Sequence, residues 1–388
     1  TVTSVKVGAA VTISESGIEA SGIGITCANI NGAQIGGRRN LIINGAMNVA
    51  QRGTSSTTTA LATVDRIYTA TNGVDEAPTF TQSDVSSGTT PYTSGFRKTF
   101  RVTNGNQTSG AGTSDRIEIM MRLEAQDIAN SGWNYTSTSS FITLSFWVKS
   151  SVAQNFYGRI QTQDGTAQRY AIETGSLTAD TWTKITKTIP GNSNLQFDNN
   201  VNEGLRISLY GFLGTDYTDS SSLNTWAASA TGNRTPDNTS TWYTTNDATF
   251  EITGMQLEVG AQATAFEHRS YGEELQLCAR YYQKIAEGNG KAVALCFNYS
   301  TQYADWVIQY PMGSMRASPS FDQVTGADYY YLHGGSGNSY LDGAFLIEHG
   351  TVTQANVYFD PDAGLTAGGT GYLKTTNNSS YLALTAEL

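Results

Sequence analysis

The pattern that most limits what this chain can fold into is a succession of short segments in which apolar side chains recur at every second position, each cut off by Ser, Asn, Gly or Pro. In FITLSFWVKSS at 141–151, Ile142, Leu144, Phe146 and Val148 share one face. LRISLYGFLG repeats this with Leu205, Ile207 and Leu209, and TWTKITKTIP does so less strictly with Trp182, Ile185 and Ile189 before Pro190 ends it. A period of two is that of a half-buried strand. ATFEITGMQLEVG groups Phe250 and Ile252 and breaks at Gly254, where a bulge is expected. DRIEIMMRLEAQDI keeps Ile117, Ile119, Met121 and Leu123 in register, and it predicts a strand followed by a loop although Glu124 to Ile128 are good helix formers. Many such strands between Ser/Asn/Gly-rich turns imply a two-sheet sandwich. With 40 Gly and only 14% charged residues, the composition favours strands and turns over helices.

Residues 1–37 read differently. Val5, Val7, Ala9, Val11 and Ile13 alternate with polar or small residues, then glycines cut the run into very short extended pieces. A lone strand of this kind buries too little to offset the entropy of ordering it. Association of several copies around a shared apolar axis is the economical solution, so a neck or shaft is expected here, with a disordered linker as the alternative. One helix stands out further on. Ser270 and Glu273 form a capping-box signature, and Leu275, Cys278, Tyr282 and Ile285 follow at helical spacing, predicting a linking helix over 269–287. After it, AVALCFNYS, ADWVIQYP, DYYYLHGG, YLDGAFLIEHG, TQANVYFD and YLALTAEL supply strands for a second sandwich over 288–388. The expected class is all-β: extended neck 1–37, jelly-roll sandwich 38–268, linking helix, C-terminal sandwich.

A formal net charge of −10, with 23 basic residues spread along the chain without a block, argues against nucleic acid as a partner. No apolar run is long enough to span a bilayer. Three cysteines, Cys27, Cys278 and Cys296, make neither a metal-ligand spacing nor an even disulfide set, as expected of folding in a reducing cytosol. The chain starts at Thr1 and SSYLALTAEL reads as a finished final strand, so any further part is expected upstream.

Two stretches carry a family likeness. RRNLIINGAMNVAQRGTSSTTTALATVDR at 38–66, and Gly254 to Phe266 leading into Tyr271-Gly272-Glu273-Glu274, resemble the edges of a jelly-roll module carried by tailed-phage fibre and other virion proteins, especially of cyanophages. In that family Asn40-Leu41-Ile42-Ile43-Asn44-Gly45 opens the module, Gln51-Arg52-Gly53 turns the chain, and Asp65-Arg66 begins the next strand. Tyr310-Pro311-Met312 through Pro319 resembles the PMR-x-x-P segment of small terminal sandwiches in such fibres, although three residues separate Met312 from Arg316. The resemblance implies a homotrimeric virion protein assembled in the host cytoplasm and joined to other virion proteins through its N-terminal side, a tail fibre before a head-decorating fibre. It implies attachment to a host surface glycan, and a structural Ca2+ site where the opening strand meets the closing one, with Asn44, Gln256 and Glu258 as ligands. No other cofactor is expected.

Catalytic chemistry is poorly represented. His268, His333 and His349 are isolated, and no metal-binding or nucleophile-elbow motif occurs. Glycoside cleavage needs paired carboxylates; Asp115 with Glu118, Asp360 with Asp362, and Asp342 with Glu348 are the local pairs, and each reads as surface charge. A non-enzymatic binder is expected, with a surface-polysaccharide depolymerase as the alternative. Sugars offer C–H faces to aromatic rings and hydroxyls to amides and carboxylates. Two clusters fit: Trp226, Arg234, Trp242 and Tyr243 in a loop-rich stretch, and Tyr329, Tyr330, Tyr331 and Tyr340 with His333 and Asn338 around a glycine turn; ordinary packing or a subunit interface is the alternative use of each. Trp133, Trp147 and Trp182 are expected to serve packing.

Overall fold

A computed structural model describes residues 38–334, 337–362 and 364–388, together with the backbone of four short strands before them. These strands form two hairpins, Val11–Ser14 with Gly17–Ala20 and Asn29–Ile30 with Ala33–Gln34. The expected three-copy neck otherwise lies outside the described residues.

The first domain is an all-β jelly-roll sandwich. One six-stranded antiparallel sheet runs in the spatial order Thr183–Pro190, Phe141–Ser150, Thr249–Val259, Lys98–Thr103, Thr79–Asp84, Ser55–Ser56. The other runs Trp226–Ala228, Gln168–Ser176, Asn155–Thr162, Glu203–Leu213, Arg116–Glu124, Tyr68–Asn72. Period two decides which side chains meet between them: Ile142, Leu144, Phe146 and Val148 face Ile117, Ile119, Met121, Leu205 and Ile207 in one core. The bulge expected at Gly254 is present. Its φ is +65°, and the register of Thr249–Val259 against Phe141–Ser150 slips between Thr253 and Gln256. Glu124 to Ile128 depart from expectation, since Ala125–Ala129 is a short helix and not a loop. Ala125 and Ile128 are buried there, so the helix-forming residues follow their own propensity once one turn finds a core face.

The capping box of the later helix is formed. Ser270 Oγ accepts from Glu273 N at 3.3 Å, and Glu273 Oε2 accepts from Ser270 N at 2.9 Å. Ser270→Ala is therefore expected to cost about 1 kcal/mol, read as a lower unfolding midpoint with glycan binding unchanged. The helix stops at Ala279, however, and the expectation of helix to residue 287 is corrected: Tyr282–Glu287 is a strand paired with Tyr381–Thr385. Helical spacing of Tyr282 and Ile285 was outweighed by ladder hydrogen bonds to a strand about a hundred residues away.

That strand belongs to the second sandwich. A three-stranded sheet, Tyr282–Glu287, Tyr381–Thr385, Ser320–Gln323, covers a seven-stranded one in the order Gly337–Leu341, Tyr330–Gly334, Thr370–Thr375, Ala292–Asn298, Ala304–Gln309, Gln354–Phe359, Leu346–Glu348. Trp306, Tyr330, Leu332, Phe345, Val357, Leu373 and Leu382 fill the space between them.

The two domains meet in a knot of charged and aromatic side chains. Glu124 accepts from Arg280 Nε and Nη2, each at 2.8 Å, and from the Tyr281 hydroxyl at 2.6 Å. Glu387 pairs with Arg52 and Arg66, whose guanidinium groups lie over the rings of Tyr282 and Tyr281 at 3.6 and 3.5 Å. Arg316 donates to the carbonyls of Val201, Ala386 and Glu387. The Gln51-Arg52 and Asp65-Arg66 pairs of the opening motif thus build the joint.

Candidate functional site

The outer face of the seven-stranded sheet is where side chains converge without being buried. Strand alternation sends Leu295, Phe297 and Val307 outward while Cys296 and Trp306 point into the core. Leu295 is 64% exposed, Phe297 49%, Val307 67% and Tyr372 57%. The register continues the stripe, with Leu295 opposite Tyr372, Tyr372 opposite His333, and Phe297 opposite Asp305.

At one end this face deepens into a groove of about 430 Å3 lined by Tyr299, Tyr303, Asp305, Glu348, Asn356 and Tyr358. Each has a strand or turn behind it. Asp305 lies opposite Tyr358, and Asn356 opposite Glu348. The turn carrying Tyr299 and Tyr303 is fixed by Ser300, whose hydroxyl accepts from Tyr303 N at 2.9 Å, and by Leu365 N donating to Thr301 O at 2.8 Å. Tyr303 and Tyr358 meet edge to face with centroids 6.2 Å apart, while Tyr299 is 72% exposed. The groove offers ring faces to apolar C–H surfaces, and two carboxylates and one amide to hydroxyls.

At the other end, Tyr331 and Tyr340 are a cross-strand pair, ring centroids 5.9 Å apart and tilted by 42°. His333 Nδ1 lies 2.6 Å from Asn338 Oδ1. These four of the expected distal cluster do share the outer face. Tyr330 and Tyr329 do not join them. Tyr330 points inward, packs edge to face on Phe345 at 4.8 Å and donates to Tyr381 O, and Tyr329 is partly buried against the same core. Neither serves as a platform: successive residues of a strand face opposite ways, which turns Tyr330 away from Tyr331, and Tyr329, which precedes that strand, packs against the core.

The cluster expected in the jelly roll is also corrected. Trp242 and Tyr243 are fully buried. Trp242 donates its indole N–H to Thr249 O at 3.0 Å and packs against Phe156 and Phe250. Tyr243 stacks on Phe212 at 4.5 Å and donates to Asp115 at 3.0 Å. Burial and that hydrogen bond push its hydroxyl well above the usual range. Trp226 is 9% exposed, lies against Tyr170 and donates to Pro190 O at 2.7 Å. Rings so enclosed have no face for a sugar. Arg234 is turned to Glu118 and the Tyr217 ring. Of the three assigned to packing, Trp133 is in the main core, Trp147 flanks a smaller one, and Lys149 lies over the Trp182 ring.

The three residues expected to hold Ca2+ do not fit that role. Asn44 Oδ1 accepts from Val49 N, Gln256 Oε1 accepts from Glu267 N, and Glu258 accepts from Gln256 Nε2, Thr264 N and the Thr264 hydroxyl. A hard cation needs six to eight oxygens directed at one point, and these are directed at N–H and O–H donors. Cys278 and Cys296 are buried and free.

Tyr299, Tyr303, Tyr358 and Tyr372 were not singled out in the sequence. AVALCFNYS is apolar at both parities, and a strand apolar on both faces in an otherwise polar chain is the signal that its outer face has a role.

No family model matches the chain, and no curated protein matches it in sequence. Among solved structures it is similar to the enzymatically active domain of tailspike protein 4 of bacteriophage CBA120, at 10% identity and a TM-score of 0.29 over 57% of this chain and 21% of that one. It is also similar to a CBM4 module, at 16% identity and a TM-score of 0.29 over 56% of this chain and 99% of that one. The N-terminal cellulose-binding domain of Cellulomonas fimi β-1,4-glucanase C is similar at 9% identity and a TM-score of 0.26, over 56% and 99%.

Proposed function

We propose that the chain is a glycan-binding virion protein, a homotrimeric tail fibre whose C-terminal domain holds a saccharide of the host surface in the tyrosine groove and does not cleave it. The observation that carries the binding is the groove itself: three rings beside Asp305, Glu348 and Asn356 around about 430 Å3. The virion setting, and attachment to other virion proteins through the N-terminal side, are supported by the motif resemblance over residues 38–66 and 254–274.

Tyr303→Ala and Tyr358→Ala should each weaken binding to host envelope polysaccharide about fivefold, since a ring contact contributes on the order of 1 kcal/mol. Titration calorimetry with purified polysaccharide measures it. Unchanged affinity in a folded double variant would reject the groove, and release of shortened oligosaccharides would favour the depolymerase. Sedimentation of the parent chain as a monomer would reject the trimer. The exposed Leu295 and Val307 favour a second use of the same face, as a contact between copies. In that case Val307→Glu would lower the oligomeric state.

A further inference from the structure

The outward face of the jelly roll's second sheet is polar, and around Glu118, Arg159, Ser208 and Tyr210 it is buried. Opposite Arg159 on Asn155–Thr162 stands Ser208, and opposite Glu118 stands Tyr210. Arg169 lies opposite Gln161, which makes it the diagonal same-face neighbour of Arg159. Residues 215–235 close over this face, with Arg169 Nη2 donating to Ser221 Oγ at 2.7 Å and Arg234 reaching Glu118 at 3.4 Å.

Charge under this cover is unbalanced. Glu118 has three arginines within ion-pair distance, Arg234 at 3.4 Å, Arg116 at 3.8 Å and Arg159 at 4.0 Å. Arg169 has no carboxylate that close among the described residues. Asp219 stands behind its Ser221 contact. Arg159 is 4% exposed and Arg169 5%, with Ser208 and Tyr210 fully buried. Among the described residues, Arg159 Nε, Arg169 Nε and Nη1, Ser208 Oγ and the Tyr210 hydroxyl have no hydrogen-bond partner. Buried donors and unmatched cations are costly unless a counter-charge meets them.

We propose that this cluster binds a small oxyanion, the carboxylate or sulfate of an acidic saccharide, with Arg159 and Arg169 as paired guanidinium forks and Ser208 and Tyr210 as hydroxyl donors. Planar forks match the oxygens of such groups. Burial and the neighbouring Glu118 hold the Tyr210 hydroxyl protonated, as a donor must be. Burial, set against Asp219, lowers the pKa of Arg169, a cost that an arriving anion would offset. The cover contains one three-residue strand and two single 3-10 turns, so its opening for entry breaks few ladder hydrogen bonds. The site is separate from the tyrosine groove and does not depend on it.

The test is thermal unfolding of the whole chain at matched ionic strength with sodium galacturonate, sodium sulfate, galactose or sodium chloride. A saturable rise in midpoint with galacturonate or sulfate, absent with galactose and chloride, is expected. A larger rise with galacturonate identifies the saccharide as the source, and a rise with sulfate alone identifies the free inorganic anion. No saturable rise with either overturns the site. Arg159→Met should weaken the anion effect about tenfold or more, yet leave the ligand-free midpoint no lower, because one of several crowded cations is gone. A structural arginine would instead lower that midpoint. Arg169→Gln provides the same readout should the first variant fail to fold, and parent-like anion response in either folded variant overturns the assignment.

Discussion

Gly45→Ala is expected to destabilise the jelly roll by about 4 kcal/mol or more, enough to unfold a domain of ordinary stability. Gly45 sits where the opening segment crosses the closing strand, and its carbonyl accepts from Met255 N at 2.9 Å. A methyl group there would overlap the Met255 carbonyl oxygen and come within 3.2 Å of Asn40 Nδ2. Neither neighbour can move cheaply. Asn40 Nδ2 donates to that same carbonyl at 3.0 Å, and Asn40 Oδ1 accepts from Leu257 N and Ile42 N. Denaturant unfolding followed by tryptophan fluorescence reports the loss, with Gly272→Ala as the control, since a methyl group there meets nothing within 4 Å. A Gly45→Ala midpoint within about 1 kcal/mol of the parent would show that the crossing can spread.

Glu124→Gln should cost about 3 kcal/mol, because it removes the charge that a buried joint is built around and leaves Arg280 facing a neutral amide. Glu124 is completely buried. Burial pushes its carboxyl up, but the hydrogen bonds from Arg280 and Tyr281 prevail and hold it below the ordinary 4.5. A depressed carboxylate pKa contributes stability that is fully present above 4.5 and is lost as pH falls through the folded value. The parent joint should therefore loosen on acidification through that window, and the variant should lack that part of the response. Calorimetry across pH distinguishes the two. Separate melting of the two domains in Glu124→Gln is the expected sign, and a single parent-like transition with unchanged acid sensitivity would count against the joint.

Strand period was legible wherever apolar and polar residues alternate along a segment. Ile142 to Val148 and Leu205 to Leu209 needed only alternation, and the φ of Gly254 needed only the absence of a side chain. Partners distant in sequence were not legible. Trp242 and Tyr243 sit among Thr and Asn, a composition that reads as loop, yet Phe156, Phe212 and Phe250 enclose them. Parity could show only that Tyr330 faces away from Tyr331; Tyr331 and Tyr340 meet through hairpin register, and the groove needed Tyr299, Asp305, Glu348 and Tyr358 from four separate segments brought together by register. The arginines of the second sheet show the same limit: dispersed along the chain, they are gathered only when four strands align.

The joint has a consequence for timing. Arg66 meets Glu387, a partner 321 residues later in the chain, and Arg122 meets the main-chain oxygen of Leu388. At the usual pace of synthesis, 5–20 residues per second, roughly 16–64 s separate the emergence of Arg66 from that of Glu387. The strand Tyr381–Thr385 sits between the two other strands of its sheet and leads directly into these contacts. Completion of the second sandwich and locking of the two domains therefore occur together, in one late step, and until then the jelly roll can reach its native core while still free to turn relative to the C-terminal part of the chain.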